Sequence, residues 1–126
     1  MTFKREAGNL PRILIIDDEA AIRRFLHTVL SAEEFFLHEV ATGHSGLAAA
    51  AAFRPDVILL DLGLPDIDGI KLLRQMKEKK PRLPIIMSTA YDYRDDFAVW
   101  ASEAYIVKSS DLTELKATIK KLIERE

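Results

Sequence analysis

The sequence predicts an α/β fold in which a parallel sheet of five strands is doubly wound, with helices on both faces. Three observations predict it. Short apolar runs such as 13–16, 57–60 and 85–87 continue without polar alternation, as strands buried on both faces do. Segments with apolar residues at helical spacing separate these runs, and that alternation calls for parallel strands joined by crossover helices. The runs also end abruptly in polar side chains, at the sheet edge where such folds bind ligands.

Taken in order, residues 1–11 are polar, end at Pro11 and read as a flexible leader before a domain spanning 12–126. Residues 12–16 form a buried strand that ends in Asp17, Asp18 and Glu19. From Ala20 the period is that of a helix, with Ile22, Leu26, Val29 and Leu30 on one face. Residues 35–40 are more mixed, which suits a strand at the sheet edge. Thr42 can cap an alanine-rich helix that Pro55 closes. The central strand is expected at 56–60, followed by Asp61 and a loop containing glycine and proline. Asp68 is placed to cap a third helix with Ile70, Leu73 and Met76 inward; its basic outer residues (Lys71, Arg74, Lys77, Lys79, Lys80) read as a solvated face. Residues 84–89 form a strand ending in hydroxyls, and 92–101 a short, weakly amphipathic helix containing Trp100. A brief strand at 105–107 ends in Lys108, and Ser110 or Asp111 caps a last helix carrying Leu112, Leu115, Ile119, Leu122 and Ile123 at core spacing.

Bulk properties narrow the function classes. A chain of 126 residues supports one domain with a real core. Its net charge of −2 gives no global basic field, which disfavours direct nucleic-acid binding by this chain. The absence of cysteine excludes disulfides, thiolate metal sites and thiol catalysis. There is no apolar core of a signal peptide and no run near the ~18 apolar residues of a membrane span, so no membrane role and a cytoplasmic setting are expected.

The chemistry gathers at the carboxyl ends of the strands. The first strand supplies Asp17 and Asp18, the third Asp61, the fourth Thr89 and the fifth Lys108. An aspartate at a strand end either caps its loop or serves chemistry. Three acids, a hydroxyl and an amine brought to one edge make a small polar crevice. Two carboxylates ~4 Å apart repel by roughly 4 kcal/mol at an effective dielectric near 20. Such a cluster therefore takes up protons or holds a cation. Oxygen ligands without cysteine or a histidine set point to Mg²⁺, with Mn²⁺ as an alternative ion; no loop has the ligand density that Ca²⁺ prefers. His27, His38 and His44 fall on separate elements, and His27 reads as a helix-surface residue. A metal held by carboxylates can orient a phosphoryl oxygen, an aspartate can attack phosphorus, and Lys108 and Thr89 can each bind a further phosphoryl oxygen.

With those residues in view the chain resembles the receiver domains of bacterial response regulators, the phosphate-accepting half of two-component signalling. The resemblance covers roughly residues 12–124. It rests on the run 15–19, on Leu60-Asp61 with Leu64-Pro65 and Asp68-Gly69, on Ser88-Thr89-Ala90, and on the run 104–108. It implies a flavodoxin-like (βα)5 fold with strand order 2-1-3-4-5. Asp61 would be the phosphoacceptor, Asp17 and Asp18 the acidic pair holding Mg²⁺ beside Asp61, and the Gly63 backbone carbonyl a further ligand. Thr89 and Tyr105 match the switch pair, and Lys108 the phosphate-contacting lysine. A sensor histidine kinase or histidine phosphotransfer protein would dock over Ala20, Ala21 and Arg24. The domain would be a phosphoacceptor that assists its own phosphorylation and dephosphorylation rather than a true enzyme.

Two departures from the family pattern stand out. Ser109 replaces the proline usual after the lysine. A cis bond to serine costs ~2.5–4 kcal/mol, so a trans Lys108–Ser109 bond is expected. The family's Ala-Gly before the fifth strand reads Trp100-Ala101, which bears on the output face. Two rival enzyme or cofactor readings fit less well. A haloacid-dehalogenase-type phosphatase needs a second acid where Gly63 stands, and Asp17-Asp18-Glu19 would repel a flavin phosphate. The remaining alternatives are a receiver-fold interaction module working without phosphorylation and the N-terminal fragment of a longer transcriptional regulator. The short leader and the clean amphipathic end of the last helix favour a stand-alone regulator, whose target the sequence does not name.

Overall fold

The computed structural model of the chain describes residues 10–32, 35–61, 63–89, 104–107 and 112–124; Ser88, Thr89, 104–107, Leu112 and Glu114 are described as backbone. Five strands, β1 (Arg12–Ile16), β2 (Phe36–Val40), β3 (Val57–Asp61), β4 (Ile85–Thr89) and β5 (Ala104–Val107), form one parallel sheet in the order β2-β1-β3-β4-β5. Four helices are described: α1 (Ala20–Ser31), α2 (Gly43–Phe53), α3 (Gly69–Lys79) and α4 (Leu112–Glu124). The doubly wound sheet and its strand order are as expected, and the mixed strand β2 lies at an edge. The expected helix at 92–101 with Trp100, the Lys108–Ser109 bond, and the Ser110 or Asp111 cap lie outside the described residues.

Alternation along each strand sorts the core into two layers. Leu14, Ile16, Ile58, Leu60, Ile85 and Met87 face α2 and α3. Ile13, Ile15, Val57, Leu59 and Ile86 face α1 and α4, where Leu26, Leu30, Leu115 and Ile119 close over them. The four side chains of 13–16 are at most 1% exposed. Their burial contributes on the order of 6–12 kcal/mol. That exceeds the several kcal/mol that desolvating one carboxylate costs, so the sheet can hold a charge at a strand end.

Glycine lets α2 approach its neighbours closely, the sheet at Gly46 and the loop after β3 at Gly43. A Cβ on Gly46 would stand 2.6 Å from Ile16 Cδ1, and one on Gly43 only 1.9 Å from Ile67 Cγ2. Thr42 caps this helix by accepting from the Ser45 amide, and Asp68 caps α3 by accepting from Ile70, both as expected. Before Pro55, Arg54 ends α2 in the left-handed region at φ 55°. Proline disfavours the right-handed helical conformation in the residue before it.

Several strand ends differ by one residue from expectation: β2 and β4 start one residue later and β5 one residue earlier. The central strand runs from Val57 to Asp61 rather than 56–60, so Asp61 belongs to the ladder, opposite Ser88. Asp56 instead accepts from the Arg12 amide across the entrance of the sheet. Pro11, assigned to the leader, is buried, and its carbonyl accepts from the Phe36 amide.

Candidate functional site

β1 and β3 are neighbours in space, yet their connections leave in opposite directions. The chain passes from β1 to α1 on one face and from β3 to α3 on the other. A crevice therefore opens between their carboxyl ends, as at the switch point of any open doubly wound sheet. Ile16 pairs with Leu60, which brings Asp17 and Asp61 level with each other at the mouth. Alternation continues from Ile13 and Ile15 to Asp17, and from Val57 and Leu59 to Asp61, so both carboxylates point to the α1/α4 side. They line one cleft there with Leu26 and Leu115. At 3% and 6% exposure they are the buried charged side chains among the described residues.

The turn from β1 into α1 is held by its own backbone. The Glu19 amide donates to Asp17 Oδ1 at 2.9 Å, and Arg23 Nη1 donates to the Asp17 carbonyl at 2.6 Å. Carboxylate oxygens of Asp17, Asp18 and Glu19 come within 4.8 Å of one another. Charges that close repel by roughly 3 kcal/mol per pair at an effective dielectric of 20, less where water reaches Asp18 and Glu19. The donor set is all oxygen and anionic, with one member buried beside a second buried carboxylate. That chemistry fits a hard divalent ion such as Mg²⁺, which takes a few carboxylates and keeps waters. Glu19 was not in the expected ligand set; its place directly after two acids was the signal for it.

The loop after β3 is fixed differently. The Gly63 amide donates to Asp61 Oδ1 at 3.0 Å, folding the loop back on its own acid. Leu64 is buried in the α2/α3 layer, and Ile67 packs against the same layer. Asp66 then reaches α2, accepting from the Gly43 amide at 2.8 Å and the His44 amide at 3.0 Å. These two bonds, the Gly43 one foremost, lower the Asp66 pKa from its ordinary value. Sequence reading missed this residue, because its partners are backbone amides more than twenty positions away.

The other expected site residues distribute as follows. Thr89 ends β4 opposite Val107, one step beyond the Asp61–Ser88 pair, and Tyr105 pairs with Met87 in β5. Thr89 thus ends the strand next to β3, Tyr105 stands one strand further out, and Lys108 lies outside the described residues. Ala20, Ala21 and Arg24 are exposed in the first turns of α1. His27 meets Glu39 on the surface, His38 stacks near Phe53, and His44 stands 3.7 Å from Asp66, so the histidines remain on separate elements.

With this geometry in hand, comparison with known proteins gives a consistent result. Residues 13–120 match the response regulator receiver domain family. The chain is 40% identical over 121 residues to the transcriptional regulatory protein ResD of Bacillus subtilis, covering 93% of this chain and 50% of that protein. It is 37% identical over 117 residues to the regulatory protein AtoC of Escherichia coli, covering 90% of this chain and 25% of that one. It thus spans between a quarter and about half of the length of these curated relatives. Among solved structures, the response regulator TrrA of Thermotoga maritima, in complex with Mg²⁺-BeF, superposes with a TM-score of 0.87 at 36% identity, covering 90% of this chain and 99% of that one. The same regulator in complex with the histidine kinase ThkA gives 0.85 at 36% identity, with 90% and 98% covered. The chain belongs to the response regulator receiver domain family.

Proposed function

We propose that the chain accepts a phosphoryl group on the Asp61 carboxylate and that Asp17, Asp18 and the Gly63 carbonyl hold the Mg²⁺ this transfer needs. The observation that carries the reading is the pair Asp17 and Asp61, both buried, level with each other and lining one cleft at the switch point. A buried like-charged pair is costly unless a cation or a reaction uses it. The oxygen of Glu19 in the same cluster adds to the charge that attracts such an ion.

An Asp61 oxygen attacks the phosphorus of the donor while the bond from phosphorus to the donor nitrogen or oxygen breaks. The leaving group takes the electron pair, and an acyl phosphate stands on Asp61. Mg²⁺, when bound, supplies positive charge to the phosphoryl oxygens. Asp17 and Asp18 orient that charge, and the Gly63 amide holds one Asp61 oxygen, Oδ1. Lys108 and Thr89 bind the remaining phosphoryl oxygens. The domain assists both its phosphorylation and its dephosphorylation by this positioning. A sensor histidine kinase or histidine phosphotransfer protein is the donor, seated over Ala20, Ala21 and Arg24; the solved complex of TrrA with ThkA supports a kinase in that role. Thr89 and Tyr105 relay the change to an output face.

Intact-mass spectrometry after incubation with acetyl phosphate tests the reading. Wild type should gain one phosphoryl group only with Mg²⁺ present, and Asp61→Asn should gain none; equal uptake by both proteins would refute it. A second reading, the receiver portion of a longer transcriptional regulator, is supported by the chain spanning 50% of the transcriptional regulatory protein ResD.

A further inference from the structure

We infer that Asp66 is a positioning residue for the phosphoacceptor loop, a latch that fixes Gly63 and Asp61 by tying residues 63–68 to the N-terminus of α2. The inference rests on the proposed role of Asp61 and Gly63 and assigns a task to a carboxylate which that reading leaves unused.

The loop must hold two groups in register, the Asp61 carboxylate and the Gly63 carbonyl. At its start the β3–β4 ladder and the Gly63 amide fix it, and at its end Asp68 fixes it to α3. Between them the chain needs a tie to a neighbouring element. Leu64 and Ile67 supply apolar contact, which sets depth but not direction. Asp66 supplies direction, because its two oxygens take two separate amides, Gly43 and His44, in a forked arrangement. An anionic acceptor at a helix N-terminus gains from both hydrogen bonds and the helix dipole.

The division of labour at this helix end separates a latch from an ordinary cap. Thr42 already serves as N-cap, and its hydroxyl accepts from Ser45. Asp66 takes the two preceding amides from outside the helix. Both residues stabilise α2, but only Asp66 also holds the loop. Ile67 comes against Gly43, so close that no side chain fits there, and the loop and the helix end meet without slack. If the latch is lost, the loop can move by a fraction of an ångström at Gly63. Misplacement of about 1 Å can lower a rate on the order of a hundredfold.

The experiment compares wild type, Asp66→Ala, Asp66→Asn and Thr42→Ala in the full chain. Two quantities are read: the Mg²⁺ dissociation constant of the unphosphorylated protein, from amide resonance titration, and the rate of acetyl phosphate uptake. Asp66→Ala should weaken Mg²⁺ binding several-fold and slow uptake by about tenfold. Asp66→Asn, which keeps one carbonyl acceptor, should recover part of both and remains measurable if the alanine variant folds poorly. Thr42→Ala should lower the melting temperature yet leave both quantities at the wild-type value. Unchanged Mg²⁺ binding and rate in both Asp66 variants, or equal losses in Thr42→Ala, would overturn the latch. If wild type itself takes up no phosphate, the reading of Asp61 fails and the latch fails with it. Uptake by wild type with no effect at Asp66 defeats the latch alone.

Discussion

The two loops that flank the crevice handle acidic residues in opposite ways. The turn from β1 to α1 places Asp17, Asp18 and Glu19 in succession and leaves their oxygens within 4.8 Å of one another. The end of β3 and the loop after it also carry three acids, Asp61, Asp66 and Asp68, but separate their tasks. Asp61 stays buried at the strand end, Asp68 caps α3, and Asp66 accepts from two amides of α2. The same residue type therefore accumulates charge in one loop and spends it on helix N-termini in the other. At Asp66 and Asp68 the amides of helix N-termini offset the charge, since a carboxylate accepting from N–H groups there is favoured in its ionised form. The proposed function needs both arrangements: one loop would attract the cation, and the other would aim the nucleophile.

Removing the accumulated charge should give the largest effect. Asp17→Asn keeps the shape and an oxygen for the Glu19 amide but deletes the buried negative charge. Phosphoryl uptake at fixed Mg²⁺ should fall by at least about a hundredfold, the scale of losing one preorganised charge-stabilising group. In Mg²⁺-free buffer the same variant should be more stable than wild type by about 1–3 kcal/mol, because repulsion with its neighbours is relieved. Urea unfolding measures the second quantity. A variant that loses uptake and stability together would mean that Asp17 is a structural residue and that the loop gathers no useful charge.

The next effect falls on the second loop. Gly43→Ala puts a methyl group where Ile67 Cγ2 would be 1.9 Å away, and Ile67 is β-branched, with little rotameric freedom to retreat. Overpacking of this kind should destabilise the domain by about 1–3 kcal/mol and shift the Gly63 and Asp66 amide resonances. Wild-type stability with unmoved resonances would show that the loop is not seated on α2.

These two loops also show what could be read in the sequence. The acid run 17–19 and Asp61 were legible, because strand ends in a doubly wound sheet converge and buried runs mark those ends. Thr42 and Asp68 were legible too, since a cap lies next to the helix it serves. Asp66 was not. Its neighbours in sequence suggest a turn, while its partners are the main-chain amides of Gly43 and His44, which any residue could provide. The shift of β3 to end at Asp61 was hidden for a related reason. Whether an aspartate joins a ladder depends on the register with β4, which local pattern does not encode.

The smallest expected effect concerns acid. Hydrogen bonds from Gly43 first and His44 second favour the ionised form of Asp66, so its pKa in the folded chain lies below the ordinary carboxylate value. A lowered folded pKa means that the group contributes stability above its unfolded pKa. That contribution is lost as pH falls from the ordinary value, about 3.9, through the lower folded one. Asp66 is exposed, so the contribution is modest, and other acids titrate in the same range. Comparison with Asp66→Asn isolates it, because every other carboxylate is common to both proteins. The His44 ring faces Asp66 at 3.7 Å with its side chain 72% exposed; in that setting the pair adds little. The melting-temperature difference between wild type and Asp66→Asn should therefore be a few degrees and constant from pH 7 down to about pH 5, then shrink towards zero below about pH 4. A difference that stays constant or widens in acid would show that the two α2 amides do not favour the charged carboxylate, and the contrast between the loops would lose its electrostatic basis.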